Sequence, residues 1–574
     1  MREAEAPQRR AVAQVLLDSS LPQLDHLFDY EVPLDLIDTL RVGHRVRVPF
    51  RSQSRRSHGY VISLSDHSEF AGELQLIAEI VGTVPPLTAE IWRLARTLAD
   101  RAAGSASDIL RLAIPQRMVR AEKQHLAALD AAARPGAAEA TDVVEGAENA
   151  LTVEQPEITE SAERSAFAET TTQGTQASDN ADGADQLAHR LILGERFAFT
   201  PRHAPERLST GEWVGSWAVQ LAELAIAVFA LERSVILVAP DYRDVDQLHD
   251  ALAALGHDDT VRVDARQSGS ARYASFLRAR DETPRIILGN RSAIYAPAHR
   301  LGAVLMWDDG DPLLAEPLSP YVHARDAALV RSSLAEEAAE VASDGTPGSG
   351  EAIEDRAGLV FAAHARSTEV QRLIDLRYLT AAGEPARAAR IIAGEAMAGA
   401  ADDTGRVPEV AARALREGLR SGPVLVQVAS PGYAPVARCA QCRARVTCPR
   451  CAGPIAFRGR HHAACRWCGE QVHSWSCPEC GSHEMMRLGA GSRRTAEQFA
   501  QQFDGVRVIL SDGEHPHERV DSRPALVVAT RGAEPLAAGG YQAVVLLDAE
   551  RLLAIESLRA AEDCLRWWMN AASL

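Results

Sequence analysis

The chain has 574 residues, 46% of them hydrophobic and 24% charged, with a formal net charge of −17. That length exceeds what one core organises and implies about three domains. Charged residues rather than an apolar run follow Met1, and the longest apolar stretch, Leu224 to Leu231, is far too short to cross a bilayer, so a cytoplasmic protein with no membrane contact is expected.

An evenly spread net charge of −17 would argue against a polyanionic partner, but the acidity is concentrated in two places. Residues 121 to 185 hold 14 acidic and 3 basic side chains, and residues 334 to 356 hold 7 and 1. Outside those two segments the charges balance.

The first folded unit is expected over residues 11 to 115. Short β-branched runs at Val12 to Leu17, Phe28 to Val32, His44 to Phe50, Gly59 to Leu64 and Leu76 to Val81 predict a small β-barrel or sheet. A helix is predicted from Thr88 to Leu112, with Pro115 as its stop. Within residues 41 to 58, Arg41, Arg45, Arg47, Arg51, Arg55 and Arg56 occur with no acid among them, either a solvated loop or a stripe that faces phosphates. Residues 120 to 185 are rich in Ala, Glu, Thr, Gly and Gln, with Phe167 the only aromatic residue, and read as an acidic disordered linker. Such a linker can also compete with a phosphate backbone for basic patches.

Residues 190 to 405 alternate helices and apolar strands. Strands are predicted at Ser234 to Ala239, Thr260 to Val263, Arg285 to Leu288 and Ala303 to Trp307, with helices such as Trp217 to Leu231 and Tyr242 to Leu255 between them. This alternation predicts a parallel α/β sheet, interrupted by a disordered loop at about 334 to 356. A second α/β set occupies residues 406 to 574, with strands at Pro423 to Val428, Val506 to Leu510, Ala525 to Ala529 and Ala543 to Leu547.

Inserted in that second set, residues 437 to 482 carry four CxxC knuckles: Cys439/Cys442, Cys448/Cys451, Cys465/Cys468 and Cys477/Cys480. They use eight of the nine cysteines, and each puts two thiolates on one tight turn, so two turns close an S₄ shell around Zn²⁺. Two zinc ions per chain follow; disulfides, redox pairs and iron are the weaker readings. Spacing leaves sequential, nested and interleaved pairings open. Arg438, Arg443, Arg445, Arg450, Arg458, Arg460 and Arg466 surround these cysteines with no acid before Glu470, a local positive surface for DNA or for docking a protein. Cys564, on a helix-like stretch, reads as an ordinary buried thiol.

Several stretches together resemble the primosomal protein N′ (PriA) family of replication-restart proteins. They are Phe28-Asp29-Tyr30, Gly43-His44-Arg45-Val46-Arg47-Val48-Pro49-Phe50 and Gly59-Tyr60-Val61, then Gly289-Asn290-Arg291-Ser292-Ala293-Ile294, His323-Ala324-Arg325-Asp326, and Gly432-Tyr433-Ala434-Pro435 leading into the four knuckles. The resemblance implies a multidomain α/β fold: a small β-rich N-terminal domain that takes a DNA 3′ end, two RecA-like lobes, and a zinc module on the second lobe. It also implies nested knuckles, with Cys439, Cys442, Cys477 and Cys480 on one zinc and Cys448, Cys451, Cys465 and Cys468 on the other. Phe28, Asp29 and Tyr30 would lie at the 3′-end pocket, where a ring stacks a terminal base and a carboxylate accepts a hydroxyl proton, with Arg45, Arg47 and Arg51 beside it. Two features depart from the family. The acidic linker stands where the family has a winged helix, and the sequence stops at Leu574, soon after Arg559-Ala560-Ala561-Glu562, where the family continues.

The nucleotide site departs further. A P-loop requires Gly-x-x-x-x-Gly-Lys-[Ser/Thr], and no such string occurs; the corresponding stretch is Val214-Gly215-Ser216-Trp217-Ala218, with tryptophan about where lysine belongs. The acidic box that holds Mg²⁺ reads Asp308-Asp309-Gly310-Asp311, and the following motif Ala362-Ala363-His364-Ala365. The expectation is therefore a nucleoid-associated replication-restart protein that binds forked DNA with a 3′ end. It would recruit single-strand-binding and helicase-loading proteins, and would neither bind ATP nor hydrolyse it. The rival is an active 3′-to-5′ helicase of the same family.

Overall fold

Strand-forming alternation at Val12–Leu17 starts the first of two units in this computed structural model, which describes residues 11–50, 52–132, 173–343, 356–383, 391–392, 407–429 and 436–574, except 443, 445, 459–461, 466, 473, 489–491, 548, 554 and 556. Outside the described residues lie segments 133–172 and 344–355 of the two acidic stretches, residues 432–435, and Arg51, Arg443, Arg445, Arg460 and Arg466. One unit comprises Met1–Arg190, Val261–Thr283 and Tyr295–His299; the other comprises Leu191–Thr260, Pro284–Ile294 and Arg300–Leu574.

In the first unit, strands Leu27–Glu31, Val12–Leu17, Ser52–Ser65, Arg45–Phe50 and Glu79–Ile80 lie side by side in that order, antiparallel throughout. Their inward residues, among them Ala13, Val15, Tyr30, Val46, Val48 and Val61, form one core. The single helix expected over Thr88 to Leu112 is two helices, Ala89–Arg101 and Ala106–Ala113. The break has a local cause. Ala103 takes a left-handed backbone (φ 51°), and the Ser105 side chain accepts the Asp108 N–H to cap a new helix.

The first residues of the linker expected from residue 120 are helical. Val119–Ala132 is a helix, and its Glu122, counted above as linker charge, is buried. Burial alone would raise that carboxyl, but Arg117 and the backbone N–H groups of Thr83 and Val84 hold it below the usual carboxylate range. Gln173–Ile192 is also helical. Likewise the loop expected from Leu334 is helix as far as Ser343, since Ala324–Ser343 is continuous.

The second unit holds both lobes. In the first lobe, strands Ile286–Gly289, Ser234–Val238, Leu301–Trp307, Gly358–Ala362, Arg196–Thr200 and Thr380–Gly383 run parallel in that order. The middle strands are buried along their whole length, as a parallel sheet covered on both faces requires. In the second lobe Val508–Ser511, Leu526–Thr530, Val424–Val428 and Val544–Leu546 form another parallel sheet. Between Val424–Val428 and Val508–Ser511 the chain leaves to build a four-stranded antiparallel sheet, ordered His462–Cys465, Ile455–Arg458, Val436–Cys439, Met485–Leu488. No helix among the described residues is long and apolar enough to cross a membrane.

Candidate metal centres, DNA-end pocket and interlobe cleft

All four knuckles fold alike. The first cysteine of each donates its N–H to the carbonyl five residues on: Cys439 to Ala444 (2.9 Å), and Cys448 to Gly453, Cys465 to Glu470 and Cys477 to Ser482 (2.8 Å each). After the second cysteine the backbone turns left-handed, at Gly469 (φ 75°) and Gly481 (φ 74°), and at Ala452 (φ 57°) despite its side chain. The sulfurs then gather as Cys439, Cys442, Cys477 and Cys480, and as Cys448, Cys451, Cys465 and Cys468, each set within 4.8 Å. This is the nested arrangement. S···S contacts within the sets run from 3.4 Å (Cys442 to Cys477) to 3.7 Å (Cys448 to Cys468), much longer than a disulfide. An S₄ tetrahedron with metal–sulfur bonds of about 2.3 Å has edges of about 3.8 Å, so each set can hold one such ion. Cys564 is buried beside Leu552 and Ala429, apart from both sets.

At the N-terminal sheet the structure separates the proposed pocket residues. Phe28 and Tyr30 share one face of their strand and Asp29 points to the other. Phe28 packs edge-on to Phe50 (5.8 Å between centroids) and against His26 (4.2 Å). Tyr30 is buried, its hydroxyl donating to the Pro49 carbonyl at 3.1 Å, so it is a core residue rather than a face for DNA. Asp29 accepts from Gln14 Nε2 (3.3 Å) and from the Ser68 hydroxyl, and Ser63 donates to Gln14 Oε1 (2.7 Å), giving a polar ladder across the outer face. Arg45 is tied to Asp18 at 2.9 Å and lies over Tyr60, and Arg47 bonds Glu79 at 2.6 Å. Both are paired within the domain.

Between the lobes is a cleft of about 250 Å³ lined by Gly215, Trp217, Asp244, Trp307, Asp308 and Arg566, among others. At its floor, helix Ser216–Ala230 begins directly after Gly215. The indole of Trp217 folds back over Gly215, where an added Cβ would sit 2.3 Å from Nε1, and stacks on Trp307 at 4.1 Å with 5° between planes. The Gly215 N–H donates to Gln247 Oε1 (2.8 Å), the Ser216 N–H to the Ala204 carbonyl (2.9 Å), and the Ser216 hydroxyl to the Arg202 carbonyl (2.8 Å). The Gly215 and Ser216 N–H groups and the Ser216 hydroxyl are thus committed within the protein.

In the acidic box one oxygen each of Asp308 and Asp309 is occupied, while Oδ1 of each is buried without a hydrogen-bond partner among the described residues. Asp308 Oδ2 accepts from Arg566 Nη1 (2.8 Å) and Asn570 Nδ2 (2.9 Å), and Arg566 also reaches Asp311 (2.9 Å). Asp309 accepts from Arg325 (3.0 Å) and the Ser367 hydroxyl (2.6 Å). Burial pushes the Asp308 and Asp309 carboxyls upward against the pull of these donors. Burial, then the charges of Asp241 and Asp308, push Asp244 up to about 8. More ties follow the seam: Arg519 to Glu212 and to Asp250 (2.9 Å), Arg559 to Glu369, and Thr368 to Glu562 (2.9 Å). Sequence reasoning found Asp308 and Asp309 but missed Arg566, Asn570 and Ser367. The available signal was Arg566 itself, the one basic residue of helix Ala560–Ala572.

A family model for the 3′DNA-binding domain of PriA matches residues 14–115, the N-terminal sheet with its two helices. The chain is 35% identical to the probable replication restart protein PriA of Mycobacterium tuberculosis, over 97% of this chain and 77% of that protein. It is 33% identical to the corresponding protein of Mycobacterium leprae, over 97% and 78%. The replication restart protein PriA of Treponema pallidum is 28% identical over 50% of this chain and 41% of its own length. Among solved structures, one of RecG bound to a three-way DNA junction aligns over 69% of this chain and 47% of that chain, with a TM-score of 0.31 and 9% identity. Shared residues along nearly the whole chain, together with the matched N-terminal domain, establish that it belongs to the replication restart protein PriA family.

Proposed function

We propose that this chain serves replication restart as a DNA-binding platform with no ATP-driven motor. It binds forked DNA with a free 3′ end, holds two zinc ions in its cysteine clusters, and presents its surface to single-strand-binding and helicase-loading proteins. The observation that carries this reading is the cleft floor. Trp217 occupies the space over Gly215, and the N–H groups and hydroxyl nearest it are already bonded within the protein. Besides free amides a triphosphate needs a lysine and a hydroxyl for Mg²⁺, and this stretch has no lysine and commits its one hydroxyl to the Arg202 carbonyl. Asp308 supports the same reading, since Arg566 and Asn570 hold its Oδ2 and leave only Oδ1 for a metal. The zinc reading rests on eight thiolates in two tetrahedral sets, the donor set that Zn²⁺ prefers.

The test is fork binding and ATP turnover by the pure protein. A fork with a recessed 3′ end should bind with the same affinity with and without ATP, and turnover should stay at the blank level with DNA present. DNA-stimulated hydrolysis abolished by Asp308→Ala would restore the helicase reading.

A further inference from the structure

We propose that the two lobes of the second unit are locked together by their own side chains, so that their spacing stays fixed when Mg–ATP or forked DNA is added, whether or not the cleft hydrolyses ATP. A lobe pair that opens in every cycle must break each tie across its seam, so many ties there oppose cycling.

The lock has a buried centre. Helix Ala560–Ala572 belongs to the second lobe, where its Ala571 joins the core of Leu425, Val527 and Ala529. From the same helix the buried Arg566 crosses to the buried Asp308 at 2.8 Å and to Asp311 at 2.9 Å, and Asn570 reaches Asp308 at 2.9 Å. Asp308 and Asp311 follow strand Leu301–Trp307 of the first lobe.

The rim is tied at separate places. Arg519, which opens strand Arg519–Val520 of the second lobe, reaches Glu212 and, at 2.9 Å, Asp250 on helix Tyr242–Ala254 of the first. Arg559 reaches Glu369, and Glu562 accepts from the Thr368 hydroxyl at 2.9 Å and from the Thr368 N–H at 3.1 Å. That N–H opens helix Thr368–Asp375 and has no partner within its own helix. Arg243 of the first lobe donates to the Gly532 carbonyl of the second. At all three ionic places the second lobe supplies the arginine and the first supplies the carboxylates, so the facing surfaces attract. Half-exposed pairs such as those of Arg519 and Arg559 are each of small worth. Acting on one rigid seam they reinforce one another, because each tie holds the next pair at high effective concentration.

The experiment uses the full chain, with spin labels attached through non-cysteine chemistry at the exposed Asp258 of the first lobe and Glu417 of the second, and the distance between them read by pulsed electron resonance. The native chain should give one narrow distance, unchanged by Mg–ATP, by a fork, or by salt that screens the rim. Arg566→Ala leaves a carboxylate buried away from its cation in the closed form and not in the open one, so it should raise the open-to-closed ratio by about 100-fold or more. Arg519→Glu with Arg559→Glu leaves every core residue in place and turns attraction into repulsion at two rim points. It should add a second, longer distance that grows as salt is lowered, and it decides alone if Arg566→Ala unfolds. A native distance that is broad, or that moves with Mg–ATP or the fork, overturns the proposal, as does a single native distance in the variants. ATP turnover by the same labelled chain at a fixed distance would overturn the motor-free reading and leave the lock standing.

Discussion

His364 stands edge-on to Trp307 (5.0 Å) and to His203 (4.4 Å), where burial and then the neighbouring His203 push it down to about 3. Its folded state thus stays neutral at pH values where the unfolded chain, at about 6.5, takes a proton. The unfolded state binds more protons below pH 6.5, so the contribution of His364 to stability falls as pH drops through that value. Between pH 7.5 and 5.5 this amounts to about 1.4 kcal/mol for one such group. Thermal melts of His364→Phe and the native chain should therefore diverge in the variant's favour as pH falls, and a constant difference would show that His364 is charged in the fold. Ala452 is a second strained residue. Its left-handed backbone costs about 1 kcal/mol that Gly469 and Gly481 avoid at the matching positions of other knuckles. Ala452→Gly should slow loss of metal to a chelator, while Gly469→Ala should hasten it.

Helix Ala560–Ala572 decides how the lobes meet, because its Arg566 and Asn570, one turn apart, converge on Asp308. Removing the guanidinium would leave the buried Asp308 and the half-buried Asp311 without their cation, which for the buried carboxylate costs about 3–5 kcal/mol. Arg566→Ala should lower the denaturant midpoint accordingly, whereas Asp308→Asn, which keeps an acceptor and discards the charge, should cost less; equal and small losses would mean that the pair contributes nothing. This contact was not legible in the sequence, since Asp308 and Arg566 are 258 residues apart and no local pattern joins them. Elements with local causes were legible. Buried parallel strands such as Ser234–Val238 and Leu526–Thr530 appear as unbroken apolar runs, and the CxxC knuckles carry their chemistry in their spacing. The strands missed were those whose identity comes from neighbours. Arg196–Thr200 has polar residues at both ends instead of an unbroken apolar run, Thr380–Gly383 is largely exposed, and Gly358–Ala362 directly follows an acidic stretch that masks it. At the cleft, the sequence revealed the missing lysine, but not that Trp217 fills the space over Gly215.

On the scale of the whole molecule, the metal module and the lobes owe their stability to different forces. The buried core of the module is Ala437, Val446, Cys448, Ile455, Ala463 and Cys465, of which two are sulfur donors. With Phe457, Val472, Trp475 and Met485 packed only half-buried against these four apolar side chains, the core is small for a four-stranded sheet, so metal binding supplies much of the module's folding free energy. The second-lobe sheet rests instead on Leu415, Val424, Val426, Phe499, Leu526 and Val528 on one face and on Leu425, Val527 and Ala529 on the other, with no cluster cysteine among them. Chelation should therefore release two ions per chain and free eight thiols, while the cooperative unfolding of the lobes stays close to that of the loaded protein. It should also scatter the arginines that the module displays, against a chain whose net charge of −17 otherwise opposes DNA. Fork affinity should then fall and the slope of log affinity against log salt should flatten, because fewer phosphates are neutralised. Lobes that melt together with metal loss, or a salt slope unchanged after it, would mean that the module is neither separately folded nor part of the DNA contact.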